Sequence, residues 1–341
     1  MFQKLISCLL CVLCLLLTLN ACTGKSDPLD QTTSTTNSET ATPPETPPVQ
    51  TTLNVMSFNI YYLNEKTTAK NDNTVEVDAT IATRGPKLNA LLEGEQIDVV
   101  GFQELSEDWR AWMKKSFHKS YEYVGGWQDC CKQAGYVAYR ADKFTALEHG
   151  VFWLAPDAPE EPVKGWGGDH DRICTWVIFQ VKETGEYFLF LDTHLDNAGS
   201  MARRKGSELI VSQITVLQQK VVSTYGSENC PVILVGDMND TPTSAMYQNF
   251  TAVLRDSRVA SEGKTLSEKF STSPGFQHYR SANDYVDNGH LIDYIFVSDT
   301  VTVRNYKMIH TASNLCKYGE YISDHNAIIA KISFAPSNSA S

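Results

Sequence analysis

Positive charge is scarce in this chain. Its 341 residues carry 29 Lys and Arg against 40 Asp and Glu, a net charge of −11. Non-specific duplex binding leans on a surplus of cations, so the composition offers no footprint for it. A nucleic-acid or other phosphorylated substrate held locally at a metal stays open. Cysteine is sparse in the body of the chain, since Cys8, Cys11, Cys14 and Cys22 precede it. Only Cys130, Cys131, Cys174, Cys230 and Cys316 follow. Five is an odd number for a disulfide framework, and no pair stands at zinc-site spacing with histidines nearby. Vicinal Cys130-Cys131 reads as loop. Past Thr18 no run is long and apolar enough to span a bilayer. Internal repeats and a second linker are missing too.

What the front of the chain does hold is an address. Lys4 supplies a positive start, and Leu5–Thr18 is an apolar run of 14 residues. That falls short of the ~20 residues a membrane span needs, so it reads as an export signal. Leu19-Asn20-Ala21-Cys22 resembles the bacterial lipobox, with Asn20 in place of the small or aliphatic residue usual there. The resemblance implies a signal peptide over 1–21 and a diacylglycerol on Cys22. An ordinary signal cut after Ala21 is the alternative. From 22 to 51 the chain is mostly Thr, Ser, Pro, Asn and Glu, with too little apolar surface to offset its ordering entropy. It reads as a disordered tether. The expected location is therefore the bacterial cell envelope, at the outer membrane or cell surface.

The remainder, about 52–336, is long enough for one sizeable core. Strand-like and helix-like segments alternate, which predicts a single α/β domain. LNVMSFNI (Leu53–Ile60), IDVVGFQE (Ile97–Glu104), YEYVGGW, AGYVAYR, VFWL, ICTWVIFQV, EYFLFLDTHL, VILV, GHLIDYIFVS and NAIIAKISF read as strands. TRGPKLNALLEGEQ, the Trp109–Phe117 region and a short segment near Ser244 read as helices. Ile210, Ile214, Leu217 and Val221 recur at one-sided spacing within a helix over about Ala202–Val222. About ten strands with few helices predict two mixed sheets packed face to face, with helices outside.

Polar residues terminate or interrupt these apolar runs. Asn59 ends the first strand and Glu104 the second; His194 follows EYFLFLDT; Asp237 and Asn239 end VILV; Asp293 interrupts LIDYIFV; Asp324-His325 precedes the last strand. An ionisable group at such a place costs several kcal/mol unless it is paired or coordinated. Several from separate segments call for one common site.

In this order, MSFNI, GFQE, DTHL, VGDMND, LIDYIFVS and SDHNA resemble the endonuclease/exonuclease/phosphatase superfamily. FWLAP and DRICTW are similar to its deadenylase-like branch. The match runs from about Leu53 to Phe334. It implies a four-layer α/β sandwich of the DNase I-like kind, with two mainly antiparallel sheets, and hydrolysis of P–O bonds with Mg²⁺ or Mn²⁺. By resemblance, Glu104 with Asn59 forms the primary metal site and Asp324 is a further metal-site carboxylate. Asp237 orients or deprotonates the attacking water, and Asn239 holds that water or a phosphoryl oxygen. His325 donates to the phosphate, Asp293 bonds its other nitrogen, and His194 is a second donor. Where family members often carry a Glu partner for that first histidine, this chain has Gln133. Arg172 is placed either to neutralise substrate phosphate or to pair with a carboxylate. His170 and Asp169 lie in the Gly-rich GWGGDHD loop, His149 reads as a surface histidine, and Trp153 and Trp166 as packing. The expected protein is a monomeric, envelope-anchored phosphodiesterase of the nuclease-like kind. A phospholipid head-group hydrolase of the sphingomyelinase-like kind and an inositol-phosphate phosphatase are alternatives within that chemistry. A non-catalytic binding lipoprotein is the alternative outside it.

Overall fold

A computed structural model describes residues 50–128, 133–227, 229–263, 271–281 and 290–335. The expected signal 1–21, the tether up to residue 49 with Cys22, and the Cys130-Cys131 pair lie outside the described residues.

Two six-stranded sheets form the body. One runs β13 (Val301–Ile309), β14 (Ala327–Phe334), β1 (Thr51–Asn59), β4 (Val99–Ser106), β6 (Gln133–Arg140) and β5 (Tyr121–Gln128). The other runs β11 (Arg255–Asp256), β12 (Asp293–Val297), β10 (Val232–Asp237), β9 (Tyr187–His194), β8 (Ile173–Val181) and β7 (Phe144–Trp153). Each sheet has one parallel pair at its centre, β1 with β4 and β9 with β10. The remaining pairs are antiparallel.

Side chains alternate faces along a strand, and here both faces are covered. Leu53, Val55, Val99, Val137, Phe190, Ile233, Val235, Ile295, Ile328 and Ala330 meet between the sheets. The residues between them point outward. Met56, Phe58, Val100 and Phe102 pack on α1 (Ile81–Gly94) and α2 (Glu107–Ser116) through Leu88, Leu91, Leu92, Trp109 and Met113. Leu189, Leu191, Val232, Leu234 and Phe296 pack on α3 (Ser200–Tyr225) and α4 (Ala245–Thr251) through Ile210, Ile214, Leu217, Val221, Met246 and Phe250. The result is the expected four-layer sandwich, helix on sheet on sheet on helix. Among the described residues, no helix is long and apolar enough to cross a membrane. Cys174, Cys230 and Cys316 are buried free thiols.

Several elements carry little periodic signal. The hairpin β2 (Glu65–Ala69) with β3 (Asp72–Ala79) is largely exposed and polar, so apolar alternation does not reveal it. β7 starts at Phe144 rather than at Val151, because it is a sheet edge whose first half carries polar residues. β13 follows β12 after a short turn and adds a strand that the sequence reading lacks.

Candidate active site

The inter-sheet face of each central strand is apolar at one end and polar at the other. On β1 the inward series is Leu53, Val55, Ser57, Asn59; on β10 it is Ile233, Val235, Asp237; on β9 it is Phe188, Phe190, Asp192, His194; on β12 it is Val297, Ile295, Asp293. The period of two therefore gathers the polar strand ends at one edge of the sandwich. Of these, His194 and Asp237 line a cavity of about 450 Å³ with Tyr62, Glu104, Gln133, His170, Arg172, Asn197, Asn239, Ser273, Ile292 and His325, and Asn59 and Asp293 stand behind them, bonded to Asp237 and His325.

Asp237 stands at its centre, buried. Its Oδ2 accepts from Asn59 Nδ2 at 3.0 Å and lies 3.5 Å from His194 Nε2 and 3.8 Å from His325 Nε2. Burial and the neighbouring Asp293 charge push its carboxyl up to about 7, in the range suited to a base at neutral pH. The next carboxylate, Asp240, faces away and pairs with Arg203 of α3 at 2.8 Å. Between them Asn239 adopts a left-handed backbone (φ 50°) and gives its N–H to Asp237 Oδ1 at 3.0 Å. Asn tolerates that conformation better than most residues. VGDMND is thus both a turn and a site.

Asn239 Nδ2 bonds His194 Nε2 at 2.9 Å and the Leu195 carbonyl at 3.0 Å. Both amide hydrogens are engaged, which leaves the Asn239 carbonyl to accept from a water. His194 accepts at Nε2 in this arrangement. Burial, with Arg172 and His325 adding like charge, holds its imidazole well below the usual value. It therefore orients Asn239 as a neutral ring. His325 behaves oppositely. Burial opposes its charge, but Asp293, with Asp237 and Asp324 behind it, overrides this and raises its value well above the ordinary one. Its Nδ1 lies 3.0 Å from Asp293 Oδ2, which orients the ring and favours the imidazolium, leaving Nε2–H to donate.

Glu104 sits at a bulge of β4 with a positive φ of 63°. A bulge re-aims a side chain, and here it turns the carboxylate into the cavity, where Oε2 accepts from the Tyr62 N–H at 3.2 Å. Burial and the Asp324 carboxylate both raise its proton affinity. Two acids whose charges oppose each other, with the Asn59 amide between Glu104 and Asp237, form an oxygen-rich donor set that suits a hard divalent cation. Asn59 Oδ1 accepts from Tyr61 N at 3.1 Å, so this amide has an oxygen as well as a nitrogen held within the site. Asp237, Asp293 and His325 also present ligand atoms within 4.8 Å of one another. His325 Nδ1 faces Asp293, and Glu104, Asn59 and Asp324 are a second group of oxygen donors that could hold a cation.

Arg172 is buried at the cavity wall beside His194, and His170 lines the same wall while Asp169 is exposed. Trp153 is buried and Trp166 packs on the α3 side, as expected of packing residues; His149 is exposed. Sequence reasoning misses Tyr62, Asn197 and Ser273. None terminates an apolar run, so none carries a periodic signal.

Residues 56–325 match the sequence pattern of the Endonuclease/Exonuclease/phosphatase family. A solved structure of a protein of that family from Bacteroides thetaiotaomicron is 26% identical, with a TM-score of 0.66, covering 84% of this chain and 99% of that one. The mannosyl-6-phosphatase of the same organism is also 26% identical, with a TM-score of 0.66, covering 83% of this chain and 100% of that one. The Ccr4 3′-5′-exoribonuclease subunit of the CCR4-Not complex from Debaryomyces hansenii is 29% identical over 124 residues, 34% of this chain. The chain spans only 15% of that protein's length.

Proposed function

The chain belongs to the endonuclease/exonuclease/phosphatase family, and from that premise we propose a Mg²⁺- or Mn²⁺-dependent phosphoesterase acting on a small, hydroxylated phosphate ester. The observation that carries this reading is Asp237, a buried carboxylate within 4 Å of Asn59, His194 and His325 at the floor of one cavity. Asp237 takes a proton from a water that the Asn239 carbonyl accepts from and aims at phosphorus. His325, held by Asp293, and Arg172 donate to the phosphoryl oxygens as charge builds in the transition state. Glu104, Asn59 and Asp324 hold a cation, which when bound supplies a Lewis acid for the phosphoryl oxygen and the leaving alkoxide.

The choice of a compact substrate rests on the cavity. Gln133, Asn197, Asn239 and Ser273 line it with amides and a hydroxyl, and Arg172 is its one guanidinium among the described lining residues. A polynucleotide strand presents successive phosphates and is met by tracks of cations and stacking rings. The similarity to a mannosyl-6-phosphatase, over 83% of this chain, supports the same choice. The nuclease-like phosphodiesterase reading draws support from the partial similarity to the Ccr4 subunit. Turnover of mannose 6-phosphate, p-nitrophenyl phosphate and bis-p-nitrophenyl phosphate, with Mg²⁺ and with EDTA, separates the two. Hydrolysis of monoesters that EDTA abolishes is expected; diester hydrolysis alone would select the nuclease-like reading. Activity indifferent to EDTA would end the metal assignment.

Export and a lipid on Cys22 are part of the proposal, supported by the residue order of the first 22 positions. The expected outcome is membrane-fraction protein that Cys22→Ala releases. Equal partitioning of both forms would remove the anchor.

A further inference from the structure

The reaction above gives Ser273 no part, although its hydroxyl lines the cavity 3.1 Å from His325 Nε2. On the other side of the ring, Nδ1 meets Asp293. Without substrate the two bond each other; an anionic oxygen entering the cavity against both can accept from the hydroxyl and from the imidazolium in place of that bond. We propose that Ser273 is a further ligand of the substrate phosphoryl group, donating its O–H to the oxygen that His325 Nε2 also serves. This rests on the phosphoesterase reading and names one more group in its phosphate pocket.

The segment that carries Ser273 is held on both sides. Thr272 Oγ1 accepts from the N–H groups of Ile292 and Asp293 at 3.0 and 3.1 Å, which ties the segment to the start of β12. The Thr272 carbonyl accepts from Asn326 N at 2.7 Å, and the Asp324 carbonyl accepts from Gly275 N at 2.9 Å, which ties it to the lead into β14. Asn326 Nδ2 donates to the Ser271 carbonyl at 2.9 Å, and Ser271 Oγ accepts from Ser273 N at 3.2 Å. The segment is therefore stitched to the residues on either side of Asp293 and His325. A side chain carried this way is placed before substrate arrives, which is what a phosphate ligand requires.

Serine, histidine and aspartate in this sequence of contacts also suggest a nucleophile with its base. A phosphoryl ligand is favoured because Asp237 already stands 3.8 Å from the same Nε2 and provides the group that activates water. The two assignments differ in whether a covalent bond to Ser273 forms.

Binding of inorganic phosphate to the full chain with Mg²⁺, read by calorimetry, tests this without turnover. Ser273→Ala should weaken phosphate binding by about tenfold to a hundredfold, the range for a lost hydrogen bond to a charged group. Ser273→Thr, which keeps the hydroxyl, should recover most of it. Ser273→Cys, of similar volume but a poor donor, replaces the alanine variant should that one fail to fold. Equal phosphate affinity in wild type and Ser273→Ala overturns the proposal, as does a wild-type chain that binds no phosphate. A phosphoserine at 273 trapped by acid quench overturns it in favour of a nucleophile. Failure of the enzymatic reading shows separately, as a wild-type chain that binds phosphate yet hydrolyses no ester.

Discussion

Asp237 and Asp240 are the same residue type three positions apart, yet they do different work. The inward face of β10 points Asp237 into a buried place at the cavity, poorly solvated, beside Asp293 and two imidazoles. Asp240, past the left-handed turn at Asn239, meets Arg203 at the surface of α3. Proton affinity follows environment rather than residue type. Asp237→Asn keeps the shape and the bond from Asn59 but has no basic oxygen. Its rate on p-nitrophenyl phosphate with Mg²⁺ should fall more than about a hundredfold, since general-base and oxyanion contributions are each worth about that. A loss of tenfold or less would show that another group activates the water. His194 separates in the same way: motif order places it at the site, but its contact with Asn239 Nδ2 and the absence of a carboxylate at Gln133 make it an orienting ring.

Arg84 shows what an element does for a site it never touches. It lies on α1, 0 % exposed, and its guanidinium donates to the carbonyls of Ala79, Ile60, Ile322, Tyr61 and Leu63. Trp109 and Tyr61 lie against it. Burial lowers its pKa to about 10, which leaves it charged at neutral pH. One cation thereby closes the chain that leaves β1 and carries Tyr62 to Glu104. In sequence it is one more charged residue in an amphipathic helix, and nothing in its spacing marks it as central. Arg84→Leu strands those carbonyls in the interior at about 1–3 kcal/mol for each left unpaired. The expected loss is about 3 kcal/mol or more, read as a lower urea midpoint at unchanged slope. Arg84→Lys, with fewer directed donors, should recover only part. A loss below about 1 kcal/mol for the leucine variant would refute the bracing role.

At the scale of the whole molecule, the proposed cation ligands Asn59 and Glu104 belong to one sheet, with Asp324 beside its strand β14. Asp237, Asp293 and His194 belong to the other. Their separation is an inter-sheet distance. Beneath the cavity a buried bridge spans it: Gln103 Nε2 donates to Asp192 Oδ1 at 2.6 Å. Gly101 faces this pair, and a Cβ there would stand 2.5 Å from Asp192 Oδ1, so glycine is what admits the acid. Asp192 Oδ2 and Gln103 Oε1 have no partner among the described residues. Burial raises the Asp192 carboxyl well above its ordinary value, against the bond from Gln103. A raised acid must take up a proton on folding once the pH exceeds its unfolded value of about 4, so stability falls as pH rises from there. Asp192→Asn, nearly isosteric and uncharged, should therefore stabilise the protein by about 1–3 kcal/mol at neutral pH. The gain should shrink towards zero below about pH 4. Unfolding of both forms across pH 4 to 8 checks this, and a difference independent of pH would refute it.

By itself the sequence determined which segments are strands buried on both faces, where each apolar run meets a polar residue, and the motif order that marks the family. Those are local properties, set by period and composition, and they sufficed to read the sandwich and to nominate Glu104, Asp237, Asp293 and His325. Tertiary structure alone decided which polar residues face inward together. Gln103 and Asp192 sit within strands as ordinary letters, Ser273 lies in a segment with no period, and Arg84 looks like a surface charge. The Gln103–Asp192 and Ser273–His325 contacts span 89 and 52 positions, and Arg84 reaches as far as Ile322, 238 positions away; distances between segments are set by how two twisted sheets pack, which no local pattern encodes.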